Sequence, residues 1–237
     1  MPASPPRPSV IDVIIPAYNE EQSIAKVLAE IPEGLVREVI VVDNNSRDQT
    51  GAVAAAAGAT VLREPRPGYG YACLAGMARC YGRPAAEQPD IIVFLDGDYS
   101  DYPEDMTALV APLLRQEADL VIGSRALGER EAGSMLPQQI FGNWLATTLL
   151  RRLYGARFTD LGPFRAIRRE ALQRIGMQDT TYGWTVEMQL KAAKLGLRSV
   201  EVPVRYRRRI GVSKVSGTVK GTLGAGYKIL WTIFRYL

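Results

Sequence analysis

Short β-branched runs alternating with helix-spaced stretches leave this chain few folds to choose from. The runs at 10–15 (VIDVII), 38–42 (EVIVV), 60–62, 90–95 (DIIVFL) and 120–122 read as strands, mostly buried on both faces. Between them, 20–31, 50–57, 71–80 and 104–116 carry the apolar spacing and composition of helices. This alternation predicts an α/β fold with a mostly parallel sheet and helices on both faces. In such sheets ligands bind beyond the carboxyl ends of the strands. The sequence places its polar clusters there: PAYNEE after the first run, DNNSRD after the second, DGDYSD after the fourth and GSR after the fifth.

The second half changes character, with helices expected at 140–153, 168–175 and 184–195 and a late strand at 199–206. The expected organisation is a proline-rich tail at 1–9, one domain at 10–215 and an amphipathic segment at 216–237. Within the domain, the first half, with its polar strand ends, is expected to bind a nucleotide and the second half to face an acceptor. With 47% hydrophobic and 23% charged residues, composition speaks against disorder and fibrous folds. The chain has no histidine, which excludes imidazole metal sites, Ser-His-Asp triads and histidine bases and leaves carboxylates for acid/base and metal work. Cys73 and Cys80 stand in no zinc spacing and read as reduced thiols. The N-terminus shows no apolar signal region, and no apolar run reaches the roughly 18 residues of a membrane span. A cytoplasmic protein is expected, with contact at the inner face of the membrane left open.

Asp96-Gly-Asp98 is the centre of the functional reading. Two carboxylates at i and i+2 after a buried strand can approach one hard cation, and Gly97 is expected to let the turn come close to a ligand. Mg²⁺ or Mn²⁺ held there bridges phosphates and stabilises a departing diphosphate. Asp101, Glu104 and Asp105 belong to the cap and first turn of the following helix, with Pro103 near its start. Asp43 stands directly at a strand end, suited to a base edge or ribose hydroxyls, while Ser46 and Asp48, beside Asn45, are open between ligand contact and helix capping.

Together, IIPAYNEE, VVDNNSRD and FLDGD resemble the GT-A nucleotide-sugar glycosyltransferases of the large inverting family, closest to the polyprenyl-phosphate (dolichyl-phosphate) mannosyl- and glucosyltransferases. LREPRPGYGYAC, VIGSR, DLGPFRAIRREAL and RYRRRIGVSKVSG extend the resemblance over nearly the whole chain. It implies that Pro16, Ala17, Tyr18, Glu20 and Asp43 line the nucleoside pocket, and that Asp96 and Gly97 lie near ribose and metal. Asp98 becomes the principal metal ligand, while Arg125, Arg209 and Lys214 neutralise phosphates, as guanidinium forks and ammonium groups can. The chain departs from the pattern at Ser100, where Gln is common, and at Tyr69, where Lys or Arg is frequent.

The expected reaction moves a hexose from a UDP- or GDP-sugar to a polyprenyl phosphate, metal-dependent and with inversion. A hydroxyl acceptor would need a base, for which Glu187 is the candidate, with Asp160 a second carboxylate more suited to orienting the acceptor loop. A non-catalytic sugar-nucleotide-binding scaffold is the rival from another class. A nucleic-acid partner is not expected from the 205–209 charge run, which precedes a loop suited to phosphate. Val219, Leu223, Tyr227, Leu230, Trp231 and Phe234 recur near helical spacing among Lys220, Lys228 and Arg235. That stripe suits either a membrane interface or the protein's own core.

Overall fold

All seven residues of β1 (Ile11–Ala17) are buried, and the strand lies inside the sheet because its side chains serve both faces. Val13 and Ile15 enter one apolar layer with Ile24, Val27 and Leu109. Ile14 points to the other, with Cys73, Met77, Phe94 and Trp184. The computed structural model describes residues 7–211 and 219–237.

The remaining strands are β2 (Glu38–Asp43), β3 (Thr60–Arg63), β4 (Ile91–Phe94), β5 (Leu120–Ser124), β6 (Arg165–Arg168) and β7 (Ser199–Pro203). They form one sheet of seven strands in the order β3-β2-β1-β4-β6-β5-β7. β1, β2, β3 and β4 run parallel, β6 is antiparallel to β4 and β5, and β7 is parallel to β5. The chain moves outward from β1 to β3 and returns on the other side at β4. The carboxyl ends of β1 and β4 therefore frame a topological switch point, where α/β sheets bind ligands.

The helices are α1 (Ile24–Ala29), α2 (Thr50–Ala56), α3 (Tyr69–Tyr81), α4 (Met106–Leu114), α5 (Pro137–Tyr154), α6 (Arg169–Ile175), α7 (Trp184–Lys194) and α8 (Val219–Arg235). α5 starts on Pro137 and stops at Gly155, which takes the left-handed conformation at φ 67° that ends helices cheaply. α5, α7 and α8 make a third apolar cluster beside the sheet from Ala146, Leu150, Val186, Leu190 and Ile233.

The α/β class is as the sequence predicts, and β6 is the element the sequence conceals. Its four residues begin and end with arginine and run straight into α6, and the sequence offers a helix from 168 with no strand before it. Their strand conformation comes from pairing with β4 and β5, whose partners are far away in the chain.

Candidate active site

The loops after β1 and β2 are sewn into one rim. The Asn19 amide donates to Ser46 Oγ at 3.0 Å, the Arg47 amide to Asn19 Oδ1 at 2.8 Å, and the Glu20 amide to Thr50 Oγ1 at 2.8 Å. Pro16 and Ala17 are buried, Ala17 lies in register with Asp43, and Tyr18 stands exposed at the mouth. Asp43 Oδ1 accepts from the Ser46 amide at 2.9 Å, and Asp48 Oδ1 accepts from the Thr50 amide at 3.0 Å. Ser46 and Asp48 thus shape the rim and the start of α2. Asn44 ties this rim to the next loop, donating to the Glu64 and Arg66 carbonyls and accepting from the Gly68 amide. That role has no local signature, because its partners lie 20 and more residues away.

The acidic turn follows β4 directly. Asp98 is buried, and its Oδ1 accepts from the Ser100 amide at 2.9 Å and from Ser100 Oγ at 2.5 Å. Its Oδ2 lies 2.6 Å from Arg209 Nη2, and the same guanidinium is 3.8 Å from Glu20. Asp96 is part-exposed as a residue, while its Oδ1 is enclosed with no hydrogen-bond partner among the described residues. Burial and then the charge of Asp98 push the Asp96 pKa up, to about 7. The left-handed residue of the turn is Tyr99, at φ 67°, and not Gly97. A bulky residue there is strained. It is pinned by a hydrogen bond to Glu30 and by Arg207, whose guanidinium stacks 3.3 Å from the Tyr99 ring centre.

Arg205–Arg209 is no solvated charge run. Arg205 pairs with Asp105 at 2.7 Å, Arg207 with Glu30 at 2.5 Å and Arg209 with Asp98, while Arg208 donates to the Ala132 carbonyl. The Arg207 amide bonds the Ser100 carbonyl at 2.9 Å, and the Ile210 amide bonds the Asp98 carbonyl at 3.0 Å. This segment is a strap laid along the acidic turn. Lys214, expected beside Arg209, lies outside the described residues.

Asp101 is fully buried behind the turn, and neither carboxylate oxygen has a partner among the described residues. Burial, then the charge of Asp96, push its pKa well above the ordinary value of 3.8. Folding therefore favours its protonated form, and the stability this lends is lost as pH rises from the unfolded value through the folded one. Asp101→Asn removes that loss. Its melting temperature relative to the parent chain is expected to climb between about pH 4 and pH 8, and a pH-independent difference would rule this account out.

On the other side, Arg125 closes a two-pronged bond on Asp160, at 2.7 and 2.8 Å, and lies 5.0 Å from the Tyr206 ring centre. The acceptor-side loop is held further by α5, whose Asn143 donates to the Thr159 carbonyl and accepts from the Leu161 amide. A cavity of 350 Å³ opens here, lined by Arg130, Ile140, Trp144, Arg151, Phe158 and Asp160 among others. Arg165 is wholly buried and donates to the carbonyls of Leu161, Gly162 and Thr185. Sequence reading missed Arg165; an arginine set inside the apolar stretch FRAI was its one available signal.

Glu187 is not brought into this site. It has no exposed surface, and it accepts from the amides of Gln178 and Asp179 and from the Tyr236 hydroxyl, with Lys191 at 2.6 Å. The glycines of the 62–73 segment also serve packing. A Cβ at Gly70 would fall far inside contact distance of the Asp179 carbonyl oxygen and the Thr180 backbone.

Asp96 and Asp98 suit a hard divalent cation. An enclosed carboxylate oxygen lacks a partner, and a positive group already sits on the second carboxylate. Among the described residues no set of three or more acidic, Cys or His side chains is placed to surround an ion. Two carboxylates are nonetheless what magnesium uses when substrate phosphates supply other ligands.

A sequence profile described as Glycosyl transferase family 2 matches residues 12–176. An uncharacterized glycosyltransferase of Mycobacterium tuberculosis is 41% identical over 215 residues, covering 90% of this chain and 93% of that protein. The undecaprenyl-phosphate mannosyltransferase of Micrococcus luteus is 32% identical over 224 residues, covering 88% of each. Among solved structures, glucosyl-3-phosphoglycerate synthase of Mycobacterium tuberculosis, in complex with Mn²⁺, uridine diphosphate and glucosyl-3-phosphoglycerate, superposes with a TM-score of 0.76 at 26% identity. That match covers 96% of this chain and 79% of the other.

Proposed function

The chain belongs to glycosyl transferase family 2 and is a nucleotide-sugar-dependent transferase of the GT-A fold, and we propose that it moves a hexose from a UDP- or GDP-sugar to a polyprenyl phosphate. Pro16, Ala17, Tyr18, Glu20 and Asp43 receive the nucleoside at the joined rim. Asp96 and Asp98 would hold Mg²⁺ or Mn²⁺, which supplies charge stabilisation to the departing diphosphate. Arg209, already at that turn, neutralises a diphosphate oxygen, and Lys214 is proposed to join it. The acceptor oxygen attacks the anomeric carbon from the face opposite the diphosphate, so one bond forms as the other breaks and the configuration inverts.

The cavity beside the Arg125–Asp160 clamp carries the choice of acceptor. It combines Arg130 and Arg151, suited to a phosphate, with Ile140, Trp144 and Phe158, suited to an isoprenoid chain. The sealed position of Glu187 supports the same choice, because a phosphate is already an anion at neutral pH and needs no base. Glu187→Gln is accordingly expected to keep transfer per folded molecule within about threefold, while loosening the contact with Lys191. A loss of several hundredfold with the fold intact would make Glu187 the base and the acceptor a hydroxyl.

The direct test supplies UDP- and GDP-hexoses with Mn²⁺ and detergent-dispersed polyprenyl phosphate, and follows sugar into the lipid phase. Glycolipid from one donor is expected. Glycolipid absent while sugar passes to a hydroxyl acceptor would sink the lipid acceptor, and nucleotide binding without transfer to any acceptor would favour the scaffold.

A further inference from the structure

We infer that α5 and α8 together form a docking face for an anionic bilayer, lying in its surface. The inner sides of both helices are spent on the fold: Ala146 and Leu150 of α5 and Ile233 of α8 pack with Val186 and Leu190 of α7. Lys228 pairs with Asp179 at 3.0 Å, and Tyr236 bonds Glu187, which fixes α8 against the domain. Leu223, Tyr227, Trp231 and Phe234 of the C-terminal stripe are exposed, and the side of α8 that meets the core is made by Ile229 and Ile233, which the stripe does not include.

That outer side is strongly apolar. Phe141 is 61% exposed, Trp144 58%, Tyr227 71% and Phe234 53%. Of the fifteen large apolar side chains exposed in the described chain, ten lie at 136–153 or 223–237. Singly scattered apolar residues are ordinary on a protein surface, but this concentration is not. The rings of Phe141 and Trp144 lie 5.8 Å apart, so they form one protrusion.

Charge identifies the occupant. Neither α5 nor α8 contains an acidic residue, whereas their sequences carry Arg151, Arg152, Lys220, Lys228 and Arg235. Arg151 and Arg152 stand exposed at the end of α5, and Lys228 and Arg235 lie 4.5 and 4.8 Å from the Trp231 ring centre. Aromatic rings at headgroup depth with cations beside them are the pattern of a helix in an anionic interface. A second copy of the chain fits poorly, because a two-fold contact would press this acid-free surface against itself. No helix among the described residues is long and apolar enough to cross a membrane, so the face rests on the bilayer. Ile140 and Trp144 belong to both the face and the cavity, which therefore opens at the lipid.

The test is flotation of the full chain with phosphatidylcholine vesicles, with and without phosphatidylglycerol and free of polyprenyl phosphate, so that its result is independent of the acceptor. Binding is expected only with the anionic lipid, and its release by about 1 M salt. The double variant Phe141→Ala/Phe234→Ala is expected to weaken partition at least about tenfold through lost apolar burial. Arg152→Glu/Arg235→Glu is expected to do the same through charge. Unchanged melting temperatures would show that both variants fold. Failure to float with anionic vesicles overturns the inference, as does equal binding to neutral ones. So does a dimer in sedimentation that Phe141→Ala/Phe234→Ala dissociates.

Discussion

Asp98→Ala is expected to abolish nucleotide binding that depends on Mn²⁺ and to lower kcat/KM for transfer at least about a thousandfold. The carboxylate is buried, held by Ser100 on one oxygen and facing Arg209 on the other, so its removal takes both of these contacts from the turn. The parent chain at a nucleotide concentration of about 100 Kd gains about 2.7 kcal/mol of stability, because the ligand binds only the folded state. Thermal unfolding with UDP or GDP, each with and without Mn²⁺, reads that gain directly. In Asp98→Ala the metal-dependent part should vanish, while Asp98→Asn, which keeps an acceptor for the Ser100 amide, separates loss of charge from loss of shape. A full metal-dependent shift in both variants would place the metal elsewhere.

Gly70→Ala is expected to destabilise the fold by about 3 kcal/mol, lowering the melting temperature by roughly 6–12 °C. Helix propensity alone predicts the opposite sign, since alanine is favoured over glycine inside a helix by about 1 kcal/mol. The steric effect wins because the obstruction is backbone: the Asp179 carbonyl and Thr180. That loop cannot easily yield, as Glu187 holds the Gln178 and Asp179 amides while Asp179 itself binds the Gly183 amide and Lys228. A more stable Gly70→Ala chain would mean that α3 does not abut this loop.

The features legible in the sequence are those with a local cause. Buried β-branched runs mark the parallel strands, and the acids and turn residues at their ends mark the rim and Asp98. Features that depend on distant partners were not legible. β6 is a strand because β4 and β5 lie beside it, and Arg165 is tolerated in the interior because three carbonyls from 161, 162 and 185 surround it. Gly68 and Gly70 belong to the segment LREPRPGYGYAC that carries part of the family resemblance, yet they are required by a loop more than 100 residues later. Glu187 shows the same limit: its helix was readable, but the backbone amides and the tyrosine that enclose it were not.

The guanidinium at 2.6 Å from Asp98 also sets how two ligands speak to each other. A cation arriving alone must evict Arg209, for which the other carboxylate within reach is Glu20 at 3.8 Å. A cation arriving with a diphosphate brings that guanidinium an oxyanion to move to. If both bind here as proposed, metal and sugar nucleotide would be thermodynamically linked, each raising the affinity of the other by the same factor. Mn²⁺ titrated alone will look weak, and the nucleotide alone will look weak. On the proposed function, the species taken up would be the metal–nucleotide chelate, as a single ligand.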